Sequence, residues 1–364
     1  MPRETRLAKH RTVSATLAQH GDRELRKLVD TATPLGTGIG GTSVLLDVDG
    51  TPVFVKQVRL TDIERRPEHA HSTANLFGLP VHCQYGVGSV GGPGFGAWRE
   101  LAVHTMTTGW VTSGDSDSFP LLHHWRVLPD AGRPLPGELA DVERVVAYWG
   151  GGSGIRRRVE ELRHSSASLT LFLEYIPQNL HDWLGVRVAA GDEAAERACA
   201  MVEEELEAGV SFMNDRGLLH FDAHFQNILT DGRRLYFTDH GLSLSSSFEL
   251  ARDEADFYDA HRTYDRHYAV THLVNWLAVA LYGYAPAERR EFVRACARGE
   301  LPADVPETIA AILARHAPVA AVMGDFYDRF RHESRATPYP LEALGRASHG
   351  DARGPESGRW VRGS

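Results

Sequence analysis

Apolar and polar positions give the first half of the chain a strand-like pattern. An apolar run at 44–48 is followed by Asp49 and Gly50, a strong hairpin signal, and by a second apolar run at 52–58. A further apolar run at 169–176 predicts a buried strand that is ended by a proline. Several paired strands are therefore expected in this half of the chain.

Helical periodicity marks the N-terminus and most of the second half. Residues 1–30 predict a helical extension, and residues 194–216 predict an amphipathic helix. Residues 268–284 are apolar on nearly all sides, which predicts a helix in the core. The stretch 305–330 predicts one or two more helices, whereas 341–364 has no apolar pattern and predicts a disordered tail. Strands followed by helices predict an α+β fold.

Composition narrows the class of protein. The chain has 364 residues, of which 42% are hydrophobic and 24% charged, as in an ordinary soluble globule. Its net charge of -9 argues against a general nucleic-acid or anionic-membrane binder. We see neither an apolar run of about 18 residues nor a signal-peptide core near the N-terminus. Three cysteines without close pairing complete the expectation of a reduced, cytoplasmic protein that binds neither nucleic acid nor membrane.

Lysine is rare, and one lysine lies in an unusual place. Only Lys9, Lys27 and Lys56 occur, against many arginines. Lys56 lies in an apolar strand, which suggests that a compact point charge is needed there. The alternative is that Lys56 is present by chance in a chain whose composition favours arginine over lysine.

Three polar residues in the second half carry the strongest chemical signal. Asp222 and Asn227 are five residues apart, and Asp239 follows after a short apolar segment, a turn and a second apolar segment. Asp and Asn are common in turns, but a turn alone does not explain the apolar segments around them. Such a set can accept a proton from a hydroxyl and hold Mg²⁺ on nucleotide phosphates.

Glycines at positions 36, 38 and 41 form a second candidate site. The segment that follows them is a strand with a hairpin signal, not the helix that a dinucleotide-binding loop requires. This context favours a flap whose backbone N–H groups approach phosphates. A hairpin that is rich in glycine only for its turn is the alternative.

Three segments resemble the protein-kinase-like superfamily. They are Val53-Phe54-Val55-Lys56, His220-x-Asp222-x-x-x-x-Asn227 and Asp239-His240-Gly241. With its histidine at 224, the second is most similar to the aminoglycoside and choline phosphotransferase branch. The resemblance covers roughly residues 31–285 and implies a two-lobed fold with a β-rich N-lobe and an α-helical C-lobe. The expected units are an extension at 1–30, an N-lobe at 31–175 with an insertion at 59–97, a C-lobe at 176–340 and the tail at 341–364.

The resemblance also implies roles for individual residues, with ATP and Mg²⁺ as cofactors. For binding ATP it implies the flap glycines Gly36, Gly38 and Gly41, the phosphate ligand Lys56 and an adenine-binding hinge in the backbone of Glu174 to Ile176. For the metal it implies Asn227 and Asp239. For the reaction it implies Asp222 as base, Glu100 as the partner that orients Lys56, and His220 as a support of the loop. Glu64 and Glu68 lie nearer to Lys56 in sequence but in a charged run that is expected to be solvated.

The sequence does not identify the phosphoryl acceptor. The anchor sequence A-P-E of eukaryotic-type protein kinases does not occur between 241 and 268, which favours a small polar molecule, expected to be cationic or amino-bearing. An acidic group could line the acceptor side or form a solvated helix face: Asp253, Glu254, Asp256, Asp259 and Asp265. One alternative is an atypical bacterial serine/threonine protein kinase. Another is a nucleotide-binding pseudokinase that acts as a partner or scaffold.

Three other features of the sequence have ordinary structural explanations. His69, His71, His82 and Cys83 match no zinc-ligand spacing, so a zinc site is not favoured. Arginines 156–158 are expected to be a solvated run, with a substrate-anion site as the alternative. His224 could contact Asp222 or phosphate, or fill space.

Overall fold

The computed structural model describes residues 2–38, 40–88, 90–130, 132 and 134–349. Ten strands lie within these residues: β1 Thr33–Gly38, β2 Gly41–Val48, β3 Thr51–Leu60, β4 Leu122–Pro129, β5 Ala167–Glu174, β6 Gln178–Asn179, β7 Leu218–Leu219, β8 Ile228–Thr230, β9 Leu235–Phe237 and β10 Leu244–Ser245.

Thirteen α-helices lie in the same described part of the chain: α1 Arg3–Ala18, α2 Asp22–Thr31, α3 Ala97–Ser113, α4 Gly137–Ala140, α5 Val142–Tyr148, α6 Ser153–His164, α7 Leu180–Ala189, α8 Asp192–Asp215, α9 Arg252–Ala260, α10 Tyr264–Tyr282, α11 Pro286–Ala297, α12 Glu307–His332 and α13 Leu341–His349. The molecule is therefore a mixed α+β protein, as predicted.

A five-stranded antiparallel sheet contains all the long strands, in the order β1-β2-β3-β5-β4. The predicted hairpin joins β2 to β3. Asp49 and Gly50 have φ angles of 52° and 75°, the left-handed conformation that a tight two-residue hairpin requires. Strand β4, whose half-buried middle alternates polar His124 and Arg126 with Trp125 and Val127, was not apparent from the pattern.

Helices cover both faces of this sheet. On one face, Val13 and Leu17 of α1 pack with apolar side chains of β2 and β3, together with α2. The predicted N-terminal extension is thus part of the core and does not stand apart from it. On the other face, Trp98 and Leu101 of α3 pack against Leu171 of β5. Strand residues alternate between these two clusters because successive side chains point to opposite faces.

The later helices pack around α10, which is largely buried as predicted. The stretch 305–330 forms the single helix α12. Residues 341–349, predicted as disordered, form the helix α13 and bury Leu344, because its apolar residues recur at helical spacing against α12. The rest of the predicted tail, 350–364, lies outside the described residues.

Helix α12 is the one described helix that is long and apolar enough to cross a membrane, judged by length and composition alone. Its most apolar window has a mean hydropathy of 1.3, and 44% of that window is buried. The helix packs against α8, α10, α11 and α13, so packing within the protein accounts for its apolar face.

The segment between β3 and α3 has no long helix or strand among its described residues. It contains two short 3-10 turns, Pro67–His69 and Val81–Gln84. Phe77, Leu79 and Tyr85 are nonetheless buried in the main apolar core. The Tyr85 hydroxyl also hydrogen bonds to His261, so this segment is fastened to the helices of the second half.

Arg6 fastens α1 to the end of β5. It is 2% exposed, and its guanidinium donates to both carboxylate oxygens of Glu174 at 2.8 and 2.7 Å. It also donates to the backbone carbonyl of Phe119 at 2.8 Å. The helix and the end of the strand are thereby held in a fixed relation.

Replacement of Arg6 by alanine is expected to lower the free energy of unfolding by about 3 kcal/mol or more, because Glu174 would keep a partly buried charge without its partner. Urea unfolding measures the loss. Arg252→Ala is the control, since that side chain is 96% exposed and should change stability by less than about 0.5 kcal/mol. A loss below about 1 kcal/mol for Arg6→Ala would contradict this account.

Candidate active site

A buried lysine brings three distant parts of the chain together. The Lys56 ammonium on β3 lies 2.6 Å from Glu100 Oε1 on α3 and 2.8 Å from Asp239 Oδ1. Lys56 is 8% exposed and Glu100 2%. Glu100 follows Lys56 by 44 residues in the sequence and Asp239 follows it by 183, so only the fold brings the three side chains together.

The two carboxylates keep the lysine charged. Burial alone would lower the pKa of the Lys56 ammonium, but Asp239 and Glu100 outweigh it and raise that pKa above its usual value. Burial would raise the pKa of the Asp239 carboxyl, yet the ion pair and hydrogen bond with Lys56 lower it to about 2. At neutral pH Lys56 is therefore an ammonium and Asp239 a carboxylate.

The glycine flap reaches this ion pair through its tip. A Cβ on Gly40 would lie 3.1 Å from the Lys56 ammonium and 3.5 Å from Asp239 Oδ2. Gly41 has φ +122°, and a Cβ there would collide with the carbonyl oxygen of Gln57. Gly38 lines the cavity next to the ion pair, as does Gly40, which the sequence pattern did not single out. Gly36 does not line this cavity; it lies on exposed β1 beside a break in the strand register.

Asp222 and Asn227 are joined within one loop. Asn227 Nδ2 donates to the backbone oxygen of Asp222 at 3.0 Å and to its Oδ2 at 3.1 Å. The Thr238 N–H donates to the carbonyl of Asn227 at 3.1 Å, at the end of the hairpin formed by β8 and β9. The predicted strand–turn–strand therefore exists and brings Asp239 beside Asn227. Burial and the nearby Asp239 carboxylate raise the pKa of Asp222 above its usual range.

The loop that carries Asp222 is held in place by buried groups that do not line the cavity. The His220 Nε2–H donates to the carbonyl of Thr238 at 2.9 Å, and its Nδ1 accepts the Asp222 N–H. Burial lowers the pKa of His220 to about 4, so the ring is neutral and structural, as predicted. Asp265 on α10 accepts the N–H of His220 at 2.6 Å and of Phe221 at 2.8 Å.

Two residues of the site have strained backbones. Phe221 has φ 63° and Asp239 has φ 60°, in the left-handed region that non-glycine residues rarely adopt. Each costs about 1–3 kcal/mol and persists only where the surroundings fix it. Phe221 is buried beneath the loop, and Asp239 is held by Lys56. Such strain is concentrated at functional sites.

Buried histidines connect the loop to α3. His240 lies between His220 and His104, with ring centroids 5.1 and 4.8 Å apart. His104 stands one turn after Glu100, so these ring contacts link α3 to the loop. His224 lies nearer the surface, with Nε2 3.8 Å from Asp222 Oδ1. Of the interpretations left open for His224, proximity to Asp222 is the one that the contacts support.

A cavity of about 520 Å³ opens beside these groups. Glu100, Asp222, Asn227 and Asp239 line it. So do described residues of a glycine-rich stretch at 86–96, to which the sequence analysis assigned no role. A Cβ on Gly86 would lie 2.5 Å from Asp222 Oδ1, so this backbone passes directly over the carboxylate. The six glycines among these eleven residues are the feature of the sequence that could have indicated this part of the site.

Two charged groups that were expected to be solvated are buried instead. Glu64 is 1% exposed; it accepts the N–H of Ala97 at 2.8 Å, at the start of α3, and pairs with Arg158 at 2.8 Å. Glu64 thus caps the helix that carries Glu100. Within the arginine run, Arg156 is exposed, as expected, but Arg158 is 3% exposed. Glu64 and Arg158 pair with each other, and this ion pair offsets part of the cost of removing each charge from water.

The implied hinge does not reach the cavity. Neither Glu174 nor Ile176 lines it. The Glu174 N–H donates to the carbonyl of Leu121 at 2.8 Å, and its side chain is held by Arg6. An adenine contact at this backbone therefore stays a prediction.

The acidic residues expected on the acceptor side lie elsewhere. Asp265 supports the loop from within the core, and Glu254 is buried against Arg99 at 2.7 Å. Asp259 pairs with Arg262 on the surface. None of the five predicted acidic residues lines the 520 Å³ cavity.

Metal-binding capacity differs between the candidate groups. His69 and His82 contact the carbonyls of Ile63 and Trp149, and Cys83 is buried. Within the described residues no group of three His, Cys, Asp or Glu side chains could hold a metal. Asn227 and Asp239 offer two oxygen donors at the cavity, which suits Mg²⁺, an ion that keeps waters and substrate phosphates as its other ligands.

The chain matches no model of a known protein family and no curated protein sequence. A function for it has to be inferred from the contacts among its own residues.

Replacement of Asp265 by alanine is expected to lower the free energy of unfolding by about 2–4 kcal/mol, because two buried N–H groups would lose their acceptor. Urea unfolding measures it. The control is Asp259→Ala, whose exposed ion pair is worth at most about 1 kcal/mol. Equal stability of the two variants would show that Asp265 does not hold the loop.

Proposed function

We propose that this protein is an ATP- and Mg²⁺-dependent phosphotransferase with a two-lobed protein-kinase-like fold. The observation that carries the proposal is the buried Lys56 ammonium between Glu100 and Asp239. An ammonium fixed beside a metal-binding carboxylate is the arrangement that phosphoryl transfer from a nucleotide requires. The glycine tip above it and the oxygen donors beside it support the same chemistry.

Each residue has a part in this proposal. Lys56 binds the α- and β-phosphates and is oriented by Glu100. Asn227 and Asp239 hold Mg²⁺, which neutralises charge on the phosphates when it is bound. Asp222 orients the acceptor hydroxyl and accepts its proton.

The transfer itself is a single displacement. The hydroxyl oxygen forms a bond to the γ-phosphorus, and the bond from that phosphorus to the bridging oxygen breaks, with its electron pair leaving on ADP. The proton of the hydroxyl passes to Asp222. Positioning and charge stabilisation supply most of the rate.

A small-molecule acceptor is favoured over a protein. Glu249, eight residues after Gly241, accepts hydrogen bonds from Ser72 at 2.6 Å and from the Thr73 N–H at 3.0 Å. The segment between β3 and α3 thereby covers the chain after Gly241, where a protein kinase would hold a peptide. The glycine stretch passes closely over Asp222, which narrows the approach of a large acceptor to that carboxylate.

Two measurements test the function. Thermal shift with ATP and Mg²⁺ tests nucleotide binding, and transfer of the labelled γ-phosphate into a lysate split into protein and small-molecule fractions tests the reaction. Label in the small-molecule fraction is expected. Label found only on Ser or Thr of proteins would favour a protein kinase, and binding without turnover would favour a pseudokinase. Absence of nucleotide binding would overturn all three.

Asp239→Asn is expected to lower the transfer rate more than tenfold while the fold persists, because the variant loses the charged metal ligand. Circular dichroism checks the fold. Asp256→Asn is the matched control, since that exposed carboxylate on α9 should leave the rate unchanged. If Asp239→Asn keeps more than about a tenth of the activity, corresponding to about 1.4 kcal/mol of barrier, Asp239 is not the metal ligand.

Lys56→Arg is expected to reduce the rate at least about tenfold with only a modest loss of nucleotide affinity. A planar guanidinium cannot replace a compact ammonium that contacts two carboxylates beneath the Gly40 backbone. Single-turnover transfer and nucleotide titration separate the two effects. Lys27→Arg on the exposed face of α2 is the control. Full activity of Lys56→Arg would make Lys56 an ordinary strand residue.

A further inference from the structure

A second cavity, of about 1410 Å³, lies behind the loop that carries Asp222. Helices α7, α10, α11 and α12 form its walls. Aromatic side chains on one wall, Tyr268 and Trp276, are joined by Tyr327 from α12. The proposed phosphotransferase chemistry of the first cavity assigns no part to this second one.

Three arginines line this cavity, and two of them share one carboxylate. Arg290 and Arg331 both approach Asp328 Oδ1, at 3.4 and 3.1 Å. Arg289 lines the same cavity, and within the described residues its buried Nε has no hydrogen-bond partner. Burial and the two neighbouring guanidiniums lower the pKa of Arg289 below its usual value. The cluster therefore has an excess of positive charge that its own carboxylate does not balance.

One other carboxylate among the described residues of the cavity wall reduces this excess but does not remove it. Asp182, at the start of α7, lines the cavity and accepts a hydrogen bond from the neutral Asn179 side chain at 2.8 Å, so three arginines stand against two carboxylates. An arginine with an unused donor in the wall of a cavity is a common device for binding carboxylate or phosphate. The local charge is opposite in sign to the chain as a whole, whose net charge is -9.

The second cavity adjoins the first. Gly88 lines both of them. His272, in the wall of the second, has its ring centroid 6.1 Å from that of His224, which lines the first beside Asp222. The wall of the second cavity thus reaches His224, which lies 3.8 Å from the carboxylate that would accept a hydroxyl proton.

We propose that the second cavity is the acceptor site and that it takes a hydroxyl compound bearing an anionic group, a phosphate or a carboxylate, which Arg289 binds. This inference rests on the proposed phosphotransferase function and names its substrate class. Arg290 and Arg331 add positive charge around the anion, and the aromatic wall covers the apolar face of the molecule. The hydroxyl end points toward Asp222. A cationic acceptor, expected from the sequence, does not suit this charge.

Binding is tested without nucleotide, by calorimetry on the full chain with matched probes. Ribose 5-phosphate is compared with ribose, gluconate with glucose, and glucosamine serves as the cationic probe. The proteins are the wild type, Arg289→Ala, Arg289→Lys and the control Arg197→Ala, an exposed residue of α8 that is remote from the cavity lining. Circular dichroism checks that each variant folds.

The expected result is that an anionic probe binds the wild type at least tenfold more tightly than its neutral parent. Arg289→Ala should lose that difference, Arg289→Lys should keep part of it, and Arg197→Ala should keep all of it. The phosphate and carboxylate arms show which anion is preferred. Equal binding of neutral or cationic probes, or anion binding that survives Arg289→Ala, would overturn the inference, as would failure of every anionic probe to bind.

Nucleotide measurements separate this inference from the proposed function. Arg289-dependent anion binding by a protein that neither binds nor turns over ATP would refute the phosphotransferase while leaving the anion site. ATP turnover with an acceptor whose KM is unchanged in Arg289→Ala would support the phosphotransferase and refute the anionic acceptor. An increase in acceptor KM of at least tenfold, with the KM for ATP unchanged, would support both.

Discussion

The burial of one ammonium group imposes the central constraint on this structure. Removing Lys56 from water costs several kcal/mol, which is recovered only if Glu100 and Asp239 both lie within hydrogen-bond distance. Strand β3, helix α3 and the segment after β9 must therefore keep fixed relative positions. Glu64 contributes by capping the start of α3, and Arg99 contributes by joining α3 to Glu254 on α9. The charged contacts around the site thus serve one geometric requirement.

The loop with Asp222 meets a second requirement, since it combines a strained backbone with a fixed carboxylate. Phe221 keeps its left-handed conformation because its N–H bonds to Asp265 and its ring is buried against Tyr264. His220, neutral and buried, joins the loop to Thr238. These supports come from α10 and β9, so packing of the helical core determines the position of Asp222. A site built in this way keeps its geometry before any substrate binds.

The two cavities differ in how their walls are made. Around the first, backbone at Gly40 and Gly86 approaches charged side chains closely, so that a side chain at either position would meet them. The walls of the second are helices whose long side chains, Arg289 and Trp276 among them, give shape and charge. Backbone walls suit phosphates, which all nucleotides share, whereas side-chain walls suit the recognition of one particular molecule. The division is consistent with a common donor and a selective acceptor.

Local patterns in the sequence predicted strands β2, β3, β5, β8 and β9 and helices α1, α2, α8, α10 and α12. They also predicted the close relation of Asp222, Asn227 and Asp239, because those residues flank one short hairpin. The pairing of Lys56 with Glu100 was also expected, but only through a family resemblance. Tertiary structure decided which other charges are buried. Nothing local distinguishes Glu64 from a solvated glutamate, or Arg6 from a surface arginine 168 residues before its partner. The arginine cluster around Arg289 joins α11 to α12 in the same way. A charged residue reveals its role only through its neighbours in space, and packing, not spacing along the chain, supplies them.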